Sequence, residues 1–164
     1  VIDHSEFVQA VTHSAGLQDG ASNVASLFSR YPGYKLFTLT TVHPDGCGVV
    51  RLYSSAQGAY STAGTKPIEK EGGWYEQVFV RQKPFLGYTI EDVRHYFPDH
   101  EKIAAMGLGA TLNLPVVVSG EVVGTVNLLD RDHAYTEQTA ENAFLCAQAL
   151  APLFLKAREK LVVV

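Results

Sequence analysis

The chain has 164 residues, 46% hydrophobic and 18% charged, with a net charge of −4 at pH 7. That is the size and balance of one globular domain, large enough to bury a core without a disulfide or metal staple. The acidic balance and the scattered Lys and Arg argue against a nucleic-acid footprint, and the longest apolar stretch, Ala143 to Leu155, is interrupted by Gln148 and Pro152 and too short to span a bilayer.

The first residues carry no signal-peptide pattern, and the two cysteines, Cys47 and Cys146, form neither a CxxC pair nor a disulfide framework. The expectation is a single domain over residues 1–164, cytoplasmic, with no membrane and no nucleic-acid partner.

Asp3 followed by Glu6 predicts a capped helix start, with Phe7, Val8 and Val11 on one face and Gly16 as its end. A second helix is expected from Asp19-Gly20 to Tyr31-Pro32-Gly33, where Pro and Gly stop it. Tyr34 to His43 is β-branched, aromatic and alternating, which predicts a strand. The turn Pro44-Asp45-Gly46-Cys47-Gly48 leads to a second strand, Val49 to Ser54, and a third is expected around Ala59 to Ala63.

The stretch 64–109 is the least regular. It predicts a helix from Gly73 to Lys83, an irregular aromatic run to Pro98, and a helix across Asp99 to Met106. So long an insertion between strands is usually a lid or a binding loop. Ala110 to Val118, Ser119-Gly120 and Glu121 to Leu129 then form a predicted hairpin. Thr136 caps a long final helix through Ala140, Ala143, Phe144, Ala147, Leu150, Ala151 and Phe154, with Pro152 expected to bend it.

Strand parity assigns faces. Leu112, Leu114, Val116 and Val118, with Val122, Val126 and Leu128, form one apolar face. The other carries Thr111, Asn113, Thr125 and Asn127. The same count sets Arg51 and Tyr53 on one side of the second strand, and Thr38 and Thr40 together on the first. A polar face can simply be solvated. If the aromatic insertion covers it, its polar groups need partners, and the enclosed hollow has the character of a small-molecule site.

The tail from Leu112 to Asp130, a strand with Pro, a Gly turn and a Gly-containing strand, followed by Tyr135-Thr136-Glu137 and a long helix, resembles the C-terminal half of GAF domains. The resemblance implies an α/β (α+β) fold, a three-layer α/β/α sandwich. Its central antiparallel sheet has about six strands, with the terminal helices on one face and the long insertion over the other. Family members are small-molecule sensors or structural dimerisation modules that often pair through terminal helices. A cyclic-nucleotide signature is missing, since Leu128 rather than Lys follows Asn127. No Cys lies between Gly48 and Leu145, so covalent bilin attachment in the insertion is excluded. Asp92 to His100 resembles the segment before the reactive Cys of free-methionine-sulfoxide reductases, but the chain continues Glu101-Lys102-Ile103 and the required thiols are absent.

Cys47 is expected to be a free surface thiol and Cys146 a small core residue. His95 and His100, with Asp92 and Asp99 nearby, offer metal-ligand chemistry without a zinc-binding helical spacing. Arg51 is either an edge cation on a solvated strand or, under the lid, a fork onto a carboxylate or phosphate. The expected ligand-binding set is Arg51 for charge, Tyr53, Thr111 and Asn113 for hydrogen bonds, and Trp74, Tyr75 and Tyr88 as apolar walls. The expected function is a non-enzymatic small-molecule sensor with its pocket between the sheet and the 64–109 insertion. It would be a homodimer through its terminal helices, with no cofactor, no metal and a ligand of open identity, for which the Arg51 reading points to an anion. The alternative is a structural homodimerisation module without a ligand. A redox enzyme similar to the free-methionine-sulfoxide reductases ranks last.

Overall fold

The computed structural model describes residues 3–62 and 64–162. Helix α1 (His4–Thr12) starts where Asp3 accepts a 2.9 Å hydrogen bond from the Ser5 amide. Helix α2 (Leu17–Arg30) begins two residues before the expected Asp19. The Asp19 carboxylate lies inside the first turn, where it accepts from the Ala15 amide and faces the positive end of the helix dipole.

Strands β1 (Leu36–Val42), β2 (Gly48–Ser54), β3 (Thr65–Pro67), β4 (Phe85–Gly87), β5 (Ala110–Val118) and β6 (Glu121–Asp130) form one antiparallel sheet in the order β3-β2-β1-β6-β5-β4. The six-stranded antiparallel sheet and its helices are the α+β sandwich the sequence implied. The third strand is not at Ala59–Ala63. Ala59 and Tyr60 turn back onto the Ala56 carbonyl, Ala63 lies outside the described residues, and β3 pairs only after Gly64. Gly48 makes that pairing possible, because a Cβ there would stand 2.9 Å from the Lys66 carbonyl oxygen.

One face of the sheet carries α1, α2, α6 (Glu137–Ala147) and α7 (Ala151–Val162) over a core that includes Phe7, Phe28, Phe37, Leu114 and Phe154. The Thr136 side chain caps α6 by accepting from the Thr139 amide. Pro152 breaks the last helix rather than bending it. Proline has no N–H for the carbonyl four residues back, and the chain passes through a 3₁₀ turn, Gln148–Leu150, between α6 and α7.

Two β-bulges shift faces. Between β5 and β6 the register slips after Val116, so Val122 pairs with Val117, and Val123 rather than the expected Val122 enters the helical core. Between β1 and β2 it slips at Leu39/Thr40. A slip of one residue sends every later side chain to the opposite face.

The insertion is more regular than its sequence implied. Helix α3 (Gly73–Tyr75) runs into a π-turn over Glu76–Val80, and the aromatic run contains β4 and α4 (Ile90–Tyr96) before α5 (His100–Ala105). It docks on the second sheet face through a smaller apolar cluster of Leu36, Tyr60, Val93, Ile103, Leu108 and Leu129. Among the described residues no helix is long and apolar enough to cross a membrane.

Candidate functional site

The polar sheet face is buried. Thr38, Thr111, Asn113, Thr125 and Asn127 are all under one-tenth exposed. With Thr40 and Arg51 they floor a cavity of about 270 Å³, walled by Trp74 and Phe79 of the α3 segment, Phe97 and Ile103 of the lid, and Tyr60 of the β2–β3 loop.

The register explains the floor. Asn113 lies opposite Asn127, and Thr38 lies opposite Asn127 from the other side. Their side chains form a ladder across three strands. Trp74 Nε1 donates to Asn113 Oδ1 (3.0 Å), Asn113 Nδ2 donates to Asn127 Oδ1 (2.8 Å), and Asn127 Nδ2 donates to Thr38 Oγ1 (3.2 Å) and Thr40 Oγ1 (3.3 Å). Two buried amides are thereby satisfied from within the protein, as burial requires.

The charged groups gather at the β2 end. Arg51 Nη1 donates to the Ser61 carbonyl (2.8 Å), and its guanidinium lies 5.1 Å from the Tyr60 ring centroid. Its Nε is buried with no hydrogen-bond partner among the described residues. Lys66 lines the same cavity, and Lys102 Nζ approaches the Tyr60 ring to 4.4 Å. The Tyr60 hydroxyl donates to Asp99 Oδ2, and burial, then the Asp99 bond, pushes its pKa well above the ordinary phenol value.

Of the expected site residues, the structure brings Arg51, Trp74, Thr111 and Asn113 together. Tyr53 is not with them. The bulge at Leu52 sets Tyr53 against Leu39 on the helical face, where its ring meets Phe37 at 5.9 Å. Tyr75 stacks on Phe79 (5.2 Å) behind the wall rather than lining the cavity. Tyr88 borders a separate groove of about 450 Å³ outside β4, between Phe85, Tyr96 and the α6 carboxylates Glu137 and Glu141.

Sequence reasoning left Tyr60, Lys66, Phe97 and Asp99 out of the site. Only Thr38, Thr40, Thr125 and Asn127 were signalled, by the same parity that pointed to Thr111 and Asn113. The His95, His100, Asp92 and Asp99 set does not converge. Asp92 accepts from the Tyr88 and Thr89 amides, Asp99 is bonded to Tyr60, and His95 packs edge-on against Tyr96. Among the described residues no group of three His, Cys, Asp or Glu side chains could hold a metal. Cys47 is exposed in the β1–β2 turn, and Cys146 is buried in the helical core, where burial pushes its thiol pKa up.

A family model described as GAF domain matches residues 3–152. No curated protein sequence matches the chain. Among solved structures, it is similar to the GAF domain of a phosphoenolpyruvate-protein phosphotransferase from Coxiella burnetii (TM-score 0.71, 17% identity, 96% of this chain and 93% of that one). It is also similar to the GAF domain of the Acinetobacter phosphoenolpyruvate-protein phosphotransferase (0.71, 14%, 95% and 92%). A third similar structure is free methionine-R-sulfoxide reductase from Neisseria meningitidis in complex with its substrate (0.66, 14%, 97% and 89%). At such identities the likeness is one of fold.

Proposed function

The chain belongs to the GAF domain family, and on that premise we propose that it is a non-enzymatic sensor whose small-molecule ligand sits between the sheet and the 64–109 insertion. The observation that carries this reading is the roofed polar face. A cavity of about 270 Å³ with aromatic walls, a few convergent polar groups and an incompletely bonded Arg51 matches the general make-up of a ligand site. Arg51 anchors the ligand's charge, Trp74 and Phe97 enclose it, and Thr111 lies on the floor beneath.

Ligand binding acts by shifting a population. The lid joins the sheet through a small apolar cluster separate from the main core. A ligand bridging Arg51 and the lid favours the closed arrangement, and a partner or a second copy reads that state through the helical layer. Val8 on α1, Leu145 on α6 and Leu155 on α7 are exposed apolar side chains of that layer and support a homodimer there. Sedimentation of the wild type against Leu145→Glu checks the dimer, which the added charge should dissociate.

Thiol redox chemistry of the reductase kind has no sulfur to act through in this cavity, since Cys47 and Cys146 both lie outside it. A ligand-free dimerisation module is the second reading, favoured by the amide ladder, which is satisfied without any guest.

Native mass spectrometry of the purified protein, followed by denaturing release, separates the two. A stoichiometric small molecule, with binding weakened in Arg51→Ala, supports the sensor. An empty dimer that no carboxylate, purine or aromatic compound stabilises supports the module.

A further inference from the structure

We propose that the cavity takes an organic acid with one anionic head and an apolar body, the head on Arg51 and the body among Trp74, Phe97 and Ile103. This rests on the sensor reading, and it follows from which polar groups in the cavity are already committed.

The floor amides face each other. Asn113 accepts from Trp74 and donates to Asn127, while Asn127 sends its amide to Thr38 and Thr40. The Tyr60 hydroxyl and the Asp99 carboxylate are paired with one another. A sugar or nucleobase, with donors and acceptors along every edge, meets groups that must first break bonds with each other, and buried polar groups left unpaired on either side oppose its entry.

The Arg51 guanidinium is different. Nη1 holds the Ser61 carbonyl, leaving the edge formed by Nε and Nη2, of which Nε is buried without a partner among the described residues. That edge presents two parallel N–H groups, the geometry a carboxylate accepts in bidentate fashion. Lys66 adds a second cation to the lining, against which Asp99 is the only lining carboxylate among the described residues, and Asp99 is bonded to Tyr60. An anion therefore finds both a positive rim and an unfilled donor.

Apart from the floor hydroxyls of Thr111, which donates to Asn113 Oδ1 (3.5 Å), and of Thr125, the remainder of the lining is apolar. Leu36, Leu129, Ile103, Phe79, Phe97 and the Trp74 ring supply no further hydrogen-bonding capacity beyond the committed indole N–H. The space, equal to about nine water molecules at liquid density, suits a compact body rather than a large planar cofactor. One head and one greasy body is the composition that matches both halves.

The test uses the intact protein, its sole tryptophan as reporter, and paired probes: benzoate, phenylacetate and hexanoate with their neutral amides, and inorganic phosphate. Trp74 fluorescence titration and thermal shift are read together. The expected result is saturable binding of at least one acid, with its amide weaker by about tenfold or more, the loss typical of one charge-assisted hydrogen bond. Arg51→Gln should bring the acid's affinity down to that of the amide. Equal binding of acid and amide in the wild type overturns the proposal without needing any variant to fold. So does release of a nucleotide or sugar from the native protein, or binding of phosphate in preference to every acid. In each of those cases the sensor reading stands. If no probe binds and native mass spectrometry finds the protein empty, both fall together.

Discussion

The Tyr60 hydroxyl donates to Asp99 Oδ2 across 2.8 Å and so fastens the loop after β2 to the residue that precedes α5. The same ring receives Arg51 on the cavity side and Lys102 from α5. A loop, a lid helix and the proposed anchor thus meet on one nearly buried side chain. On the proposed function, a ligand that draws Arg51 away from this ring would act on the lid through this contact.

Tyr60→Phe keeps the ring and its packing against Leu36 and Ile103 but removes the hydrogen bond. Unfolding in urea should show a loss of about 1.5–3 kcal/mol, the net contribution of a hydrogen bond to a charged group. Amide exchange should quicken selectively over residues 100–105, because local opening becomes easier where the latch is released. Exchange that quickens evenly over the whole sheet, or not at all, denies the latch.

Tyr34, Tyr60 and Tyr135 all have their phenol pKa raised, chiefly by burial, so the fold holds the neutral form more tightly than the unfolded chain does. A raised folded pKa contributes stability that is complete below the unfolded value, here 10.0, and is lost as the pH rises above it. The protein should therefore weaken from about pH 10 upward. Phenolate absorbance at these three residues should appear together with the loss of circular dichroism. Ionisation of all eight tyrosines in a chain that keeps its native spectrum contradicts this.

Much of the architecture was legible because it depends on local pattern. The β5–β6 hairpin, the Thr136 cap and the polar parity of Thr111 and Asn113 follow from period, turn chemistry and capping, all of which sequence carries. The face of Tyr53 was not legible. An alternating count cannot see the bulge at Leu52, and that one extra residue moves Tyr53 from the cavity to the Phe37 cluster. Helix α4 had a signal that went unused. Thr89 and Asp92 are spaced as a capping pair, and Asp92 accepts from the Thr89 amide. Tyr60, Lys66 and Asp99 sit on segments brought together only by tertiary docking, so nothing in their neighbourhoods announces the site.

Gly124 lies where β6 passes under α7, and a Cβ there would stand 2.4 Å from Phe154 Cδ1. The ring is fully buried and rests on bare backbone, so it has nowhere to retreat. Gly124→Ala should destabilise by about 1–3 kcal/mol through overpacking, read as a lower urea midpoint. Adding Phe154→Leu should recover part of the loss if the clash is the cause. A double variant weaker by the sum of the two single effects rules out that cause.

Gln148 takes the place of a missing strand beside Pro115. Strand β4 pairs with β5 only over Thr111–Asn113, and beyond it the outer edge of β5 is uncovered by sheet. The carbonyl of residue 115 and the amide of residue 117 point to the same side of a strand. There Gln148 Nε2 donates to the Pro115 carbonyl (2.9 Å) and its Oε1 accepts from the Val117 amide (3.1 Å). Proline is tolerated at this point because its missing N–H faces the edge rather than β6. Gln148→Ala should cost about 1–3 kcal/mol by orphaning two part-buried backbone groups. Gln148→Glu should be no better, since a carboxylate sets oxygen against the Pro115 carbonyl, and at pH 7 it should fall below Gln148→Ala. Equilibrium unfolding of the three proteins decides it: a Gln148→Glu variant as stable as wild type means that water, not the side-chain amide, satisfies this edge.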